Sequence, residues 1–379
     1  MIALVLAVLA VTPAEAKKAQ TVAAMHSAMH AVVSLQPYLT SPTAFRDPAN
    51  ASVIGTELEA LSNLKHHFMM PGRQNVALET LAGVFGDHVD EARAEFKAGN
   101  TEATRARLRG ITSLCFACHT RQSVSKDFVD VAKVVESMNL PPLRKAEFFA
   151  TTRQFDLALA AWNTALEAAP KSEAEAFDQT AAMRQYVAVL VRVRDDRKAS
   201  VAALSKQLAR TDLPVFSRRI LEQWLRDAKV WQADDFVAST ATAAALVAKA
   251  GALIASSGAA QSPISDETRF IPTLRATGYL HAALEKEPQA GSRVEALYLL
   301  GVATAATLDP LLWDLDSLYL EACIREKPHS GIARQCADRM YDRAWFGWTG
   351  SGGTRIPPDV AQRLGELRVL ASPIEPAVR

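Results

Sequence analysis

Apolar residues recur at spacings of three and four along most of this chain, and four such stretches come first. One runs from about Thr21 to Gln36 with Val22, Met25, Met29, Val32 and Val33 in phase, and closes at Pro37. The next, about Ala51 to Met69, carries Ile54, Leu58, Leu61, Leu64 and Phe68 and ends at Pro71-Gly72. A third, about Gln74 to Ala98, places Leu78, Leu81, Phe85, Val89, Ala92 and Phe96 in register and stops at Gly99-Asn100. The fourth begins near Thr101-Glu102 and shows Leu108, Ile111, Leu114 and Cys118. Each pattern is that of a helix burying one stripe, and Gly or Pro punctuates each end. Four such helices with short joints predict an up-down-up-down bundle. From Pro141-Pro142 onward the pattern becomes paired helices, with further helices about Phe177 to Arg194 and Phe216 to Val230, and a last one from about Pro358.

Composition agrees with an all-α chain. Gly and Pro number 17 and 18 among 379 residues, too few for a loop-rich all-β protein or for disorder. The length suits two domains, or one domain followed by a repeat array. Forty-two Lys+Arg against 41 Asp+Glu give a net charge of +1, so no basic footprint points to nucleic acid or an anionic membrane. Only four cysteines occur, which excludes a disulfide scaffold and turns attention to where they sit.

The amino terminus bears on compartment. Ile2 to Val11 is an apolar run too short for a bilayer that needs about 20 residues. It is followed by Pro13 and the small-x-small triplet Ala14-Glu15-Ala16, then Lys17-Lys18. This reads as a secretory signal peptide, residues 1–16, cut after Ala16, leaving a soluble exported chain with no membrane span.

Cys115-Phe116-Ala117-Cys118-His119 is the sharpest chemical signal. Two thiols one helical turn apart can each bond one vinyl-derived carbon of haem, and an imidazole directly after them can reach the iron. Cys115 and Cys118 are therefore expected to carry one covalent haem c, with His119 as the proximal iron ligand. A thioredoxin-like redox pair would follow a strand and open a helix, whereas Thr101 to Leu114 read as helix. A zinc site would need a second ligand pair, and a Cys115–Cys118 disulfide would leave His119 unexplained.

On helix order and motif position, residues 17–123 resemble the cytochrome c-prime family of four-helix haem bundles. The resemblance implies Cys115 and Cys118 as the haem anchors and His119 as proximal ligand. In an antiparallel bundle the end of the fourth helix lies beside the start of the first and the end of the second, so a sixth iron ligand is expected there, and the resemblance implies a methionine from early in the first helix. Met25 is the leading candidate and His67 its main competitor; another of His26, Met29, His66, Met69 and Met70, or no protein ligand, stays open. Met ligation suits electron transfer at a raised potential, bis-His lowers it, and an empty position would admit a small gas.

Further on, Ala146, Phe149, Ala158, Trp162, Ala165 and Pro170 fall at signature positions of the tetratricopeptide repeat, about 34 residues long. The second-helix spacing recurs at Ala276, Leu280, Ala283, Pro288 and at Asp316, Leu320, Cys323, Pro328, while Leu300-Gly301 resembles the first-helix signature. The expected organisation is thus all-α: a bundle over 17–123, a linker helix over 124–140, an irregular tetratricopeptide-like α-solenoid over 141–346, and a Gly-rich loop with a C-terminal helix over 347–379. Trp345-Phe346-Gly347-Trp348 reads as an aromatic anchor before a flexible Gly350 to Gly353 loop. Cys323 and Cys336, on consecutive helices around a turn at Pro328 to Gly331, either form a disulfide or stay as two buried thiols. No catalytic constellation beyond redox chemistry is visible.

The leading functional reading is a periplasmic or otherwise exported monohaem cytochrome, with the solenoid docking a redox or signalling protein partner and the bundle able to pair as a homodimer. A haem-based gas sensor and a scaffold with structural haem are the competing readings.

Overall fold

A computed structural model describes residues 13–68, 76–121, 131–261, 265–287, 291–307 and 315–374. Among them the chain is all-α, with seventeen helices and one short two-stranded ribbon. In chain order the helices are α1 (Pro13–Thr40), α2 (Pro42–Arg46), α3 (Ala51–Phe68), α4 (Val76–Lys97), α5 (Thr101–His119), α6 (Val131–Ser137), α7 (Pro142–Thr151), α8 (Phe155–Ala165) and α9 (Glu173–Val189). There follow α10 (Arg197–Leu208), α11 (Val215–Gln232), α12 (Ala243–Ser256), α13 (Phe270–Lys286), α14 (Arg293–Ala306), α15 (Leu315–Glu326), α16 (Gly331–Gly347) and α17 (Pro358–Ala371). No helix among the described residues is long and apolar enough to cross a membrane. The apolar run Ile2–Val11 lies outside the described residues, and α1 begins at Pro13.

The described residues fall into two compact units. The first lies within Met1–Gly72 and Ala82–Ile111, the second within Arg73–Leu81 and Thr112–Arg379. In the first, the apolar stripes meet in one core: Leu35 and Leu39 from α1, Ile54, Leu58 and Leu61 from α3, Val89 and Ala92 from α4, Leu108 and Ile111 from α5. Polar contacts fix the register around it. Ser62 Oγ donates to Asp90 at 2.7 Å, the His88 ring donates to the Arg107 carbonyl at 2.8 Å, and Arg105 donates to the Leu39 carbonyl at 2.9 Å.

The first helix differs from expectation at both ends, starting at Pro13 rather than near Thr21 and so running through the expected cleavage point after Ala16, and a short extra helix follows it. α1 does not stop at Pro37 but continues one turn to Thr40. Pro37 gives up the bond to the Val33 carbonyl and crowds it, but it sits in the last turn, where one lost bond matters least; the Gln36 side chain donates to Val32 O and Thr40 Oγ1 to Gln36 O. The short α2 was not foreseen from the apolar pattern. Its signal is Ser41-Pro42, a cap followed by proline at the first helical position, and Ser41 Oγ accepts from Ala44 N.

In the second unit most helices pack on their neighbours in sequence: α7 on α8, α10 on α11, α12 on α13, α13 on α14, α14 on α15, α15 on α16 and α16 on α17. Ser172, Asp196, Thr242 and Ser330 each cap a helix by accepting a backbone N–H three residues on. Of the residues with repeat-like spacing, Ala146, Phe149, Ala158, Trp162, Ala276, Leu280, Ala283, Leu320 and Cys323 are buried, whereas Ala165 and Pro170 are half-buried and Pro328 is exposed. Pro288 lies outside the described residues. Asp316 is also buried, and Arg343 of α16 answers its charge.

A disulfide joins Cys323 of α15 to Cys336 of α16, with Cα atoms 6.5 Å apart. The C-terminal end differs from the expected anchor and loop. Trp345, Phe346 and Trp348 are about half exposed, so they do not anchor α16 within the unit. Thr349–Gly350 pairs with Gly353–Thr354 as an antiparallel ribbon, held by a 2.7 Å bond between the two threonine hydroxyls and by Gly353 at φ 92°.

Candidate functional site

The Cys115-x-x-Cys118-His119 motif occupies the last turns of α5, within the second unit. Three contacts hold that end of the helix. Thr112 Oγ1 donates to the buried Glu147 carboxylate of α7 at 2.6 Å, and Arg144 pairs with the same carboxylate. Phe116 meets the fully buried Trp162 of α8 edge-on at 6.4 Å, and Trp162 in turn meets Tyr186 of α9 at 6.2 Å. The third contact is made by His119 itself.

His119 Nδ1 lies 2.5 Å from the backbone carbonyl of Thr151. A carbonyl only accepts, so Nδ1 carries the proton and Nε2 carries the lone pair. That acceptor is available because Thr151 ends α7, and the last carbonyls of a helix have no partner within it. The helix is stopped by Arg153 at φ 64°, with Arg153 N bonded to Ala150 O and Gln154 N to Phe149 O. Burial, then the Arg153 guanidinium, push the His119 imidazole down to about 4, against the pull of the Thr151 carbonyl. The ring is therefore neutral near pH 7, the form that ligates metals.

The two thiols carry no disulfide and keep some surface open. Protein atoms nevertheless crowd the Cys115 sulfur: burial, with the Cys118 thiol and the Glu147 carboxylate adding to it, pushes that thiol up to about 12. A thiol so held is protonated at neutral pH. It lacks the lowered pKa that makes the nucleophile of a thioredoxin-like pair.

A second group of polar side chains sits deeper in the same unit, and sequence reasoning missed it. His281 of α13 and Tyr319 of α15 are buried with their rings edge-on at 6.2 Å. Neither His281 nitrogen, nor the Tyr319 hydroxyl, nor Arg121 Nε and one terminal nitrogen has a hydrogen-bond partner among the described residues. Arg192 donates to Thr277, one turn before His281. Burial, then the positive charges of Arg121 and Arg192, hold His281 well below the usual imidazole range. Tyr319 is pushed up to about 12 by burial and feels Arg121, Arg192 and the Cys118 thiol. These residues are far apart in sequence and on unremarkable helical patterns; only an ionisable residue on an apolar helix face, as His281 is on α13, could have flagged one of them.

The expected sixth-ligand candidates are distributed otherwise. Met25 is half-buried on α1, in the first unit, with Met29 half-buried and His26 exposed beside it. His67 falls in α3, but its side chain, like that of His66, is outside the described residues, as are Met69 and Met70 entirely. An open cleft of about 400 Å³ lined by Gln223, Asp227, Asp266, Arg269 and Arg275 contains neither cysteine nor histidine. No protein family, curated protein or solved structure matches the chain.

Proposed function

We propose that this protein is an exported monohaem c-type cytochrome that carries electrons and docks a protein partner through its paired helices. The observation that carries the reading is His119: an imidazole directly after Cys115-x-x-Cys118, with Nδ1–H tied to the Thr151 carbonyl so that Nε2 presents its lone pair. The donor set fits haem c. Cys115 and Cys118 would hold it by two thioethers, each thiol hydrogen going to the vinyl carbon that the sulfur does not bond, so attachment needs no net oxidant. The unanswered buried donors at Arg121, His281 and Tyr319 suit a large group with both polar and apolar parts. Haem, when bound, supplies a one-electron iron couple; the protein's part is to orient His119, keep it neutral and exclude water.

The packing of α1, α3, α4 and α5 supports a four-helix bundle of the cytochrome c-prime kind, and the sequential pairing of α7 to α16 supports a tetratricopeptide-like solenoid. Such an array offers a face to a redox or signalling partner, and the near-zero net charge favours another exported protein over a polyanion. The Cys323–Cys336 disulfide and the signal-like N-terminus both suit an oxidising, periplasmic setting.

The test is secretion of the full chain from a host with c-type haem maturation. One haem per chain should resist acid extraction and give a c-type pyridine haemochrome. Cys115→Ala or Cys118→Ala should weaken, and the double variant abolish, covalent retention. Haem extracted whole from the wild-type protein, or none bound at all, would refute the reading.

A further inference from the structure

We propose that His281 is a second ligand this chain would offer the haem iron, in addition to His119. The inference rests on the haem reading above and deepens it, naming a ligand 162 positions after the motif rather than before it. A neutral imidazole has one N–H donor and one acceptor, and His281 is 3% exposed with neither used. Leaving a buried polar group unanswered is costly, so such groups usually mark a partner outside the polypeptide.

The surroundings favour a metal-bearing anion over a trapped water. Arg121 follows His119 by two residues, and its charge reaches both His281 and Tyr319, as does that of Arg192. Arg121, just past α5, and Arg192, in the π-helical turn that continues α9, thus act on the same buried His281 of α13. Tyr319, edge-on to His281, also lies within the field of the Cys118 thiol. Haem brings what His281 and Arg121 are missing: an iron that takes an imidazole lone pair, and a propionate carboxylate for the Arg121 guanidinium. Thr277, bonded to Arg192 one turn before His281, fixes the helix register of that imidazole.

Two imidazoles make the iron low-spin in both oxidation states and lower its potential relative to His/Met ligation. They also leave gas ligands to compete with His281. The holoprotein tests this directly. Its ferric form should be six-coordinate and low-spin, with the near-infrared magnetic circular dichroism of two nitrogen ligands and no thioether-to-iron band. His281→Ala should lose that low-spin signal, bind CO at once when reduced, and regain the low-spin spectrum on adding imidazole. His281→Met should gain the thioether band, and Met25→Ala should change nothing. A thioether band or a high-spin ferric iron in the wild-type protein overturns the assignment without any variant, as does a low-spin spectrum that survives in folded His281→Ala. Failure of the haemochrome assay is the separate outcome that removes the haem reading and this ligand with it.

Discussion

Gly301 marks where α14 passes closest to α15. A Cβ placed there would lie 2.6 Å and 2.7 Å from Leu320 Cγ and Cδ2 and 3.2 Å from the Asp316 carbonyl. Leu320 is fully buried and has no open space to retreat into. Gly301→Ala should therefore destabilise the protein: overpacking costs about 1–3 kcal/mol, against a helix-propensity gain near 1 kcal/mol. Gly365, exposed in α17 with nothing near its would-be Cβ, isolates the second effect, and Gly365→Ala should stabilise by roughly 0.5–1 kcal/mol. Denaturant midpoints of the two variants should move in opposite directions; a shared direction would mean that the α14–α15 approach is looser than described. Gly301 was legible in sequence as part of a repeat-like signature, as were Cys115, Cys118 and His119, because those residues stand together in the chain. Thr151, Arg153, His281 and Tyr319 were not. Their bearing on the motif comes from tertiary placement: a helix-end carbonyl, a left-handed residue that ends a helix, and two aromatic rings from different helices.

At the scale of one element, α11 and the residues just past it carry two aspartates with opposite electrostatics. Asp227 is pushed up to about 6, by burial that Gln223 and Arg226 only partly offset. Asp234 goes the other way: burial raises it, but hydrogen bonds from Lys249 of α12 at 2.9 Å, Arg275 of α13 and the Phe236 N–H outweigh that and hold it below the ordinary carboxylate range. The signs follow from proton linkage. Asp227, raised on folding, contributes stability below its unfolded value of 3.8 and loses it as pH rises through about 6. Asp234, depressed on folding, contributes above 3.8 and loses that contribution as pH falls. Near pH 7, Asp227→Asn should stabilise, with the gain vanishing toward pH 4, while Asp234→Asn should cost roughly 1–3 kcal/mol by weakening a charged hydrogen-bond network. Melting curves from pH 4 to 8 check both, and a stabilising Asp234→Asn at pH 7 would contradict the network. Helix existence along this stretch could be read from apolar spacing, since α11 covers the expected 216–230. The Asp234–Lys249–Arg275 network could not, because its members are charged residues from α12, α13 and the segment after α11.

At the scale of the whole chain, where haem would sit becomes a thermodynamic question. The family resemblance implies a haem held within residues 17–123, yet α5 contributes Thr101–Ile111 to the first unit and Thr112–His119, with all three motif residues, to the second. Apolar periodicity runs through α5 without a break, so the sequence carries no mark of that division. Each unit has its own core, typified by Leu58 in the first and Leu246 in the second, and the prediction is that the two melt as separate transitions. Leu58→Ala and Leu246→Ala, each costing about 2–5 kcal/mol, identify which transition is which in calorimetry of the full chain. Covalent haem should then raise the transition marked by Leu246→Ala by several degrees relative to the haem-free chain, because His119, Arg121 and His281 all belong to that unit. The transition marked by Leu58→Ala should stay where it is. If haem instead moves the Leu58-marked transition alone, it packs within the first unit, and His281 loses its claim to the iron at the same stroke.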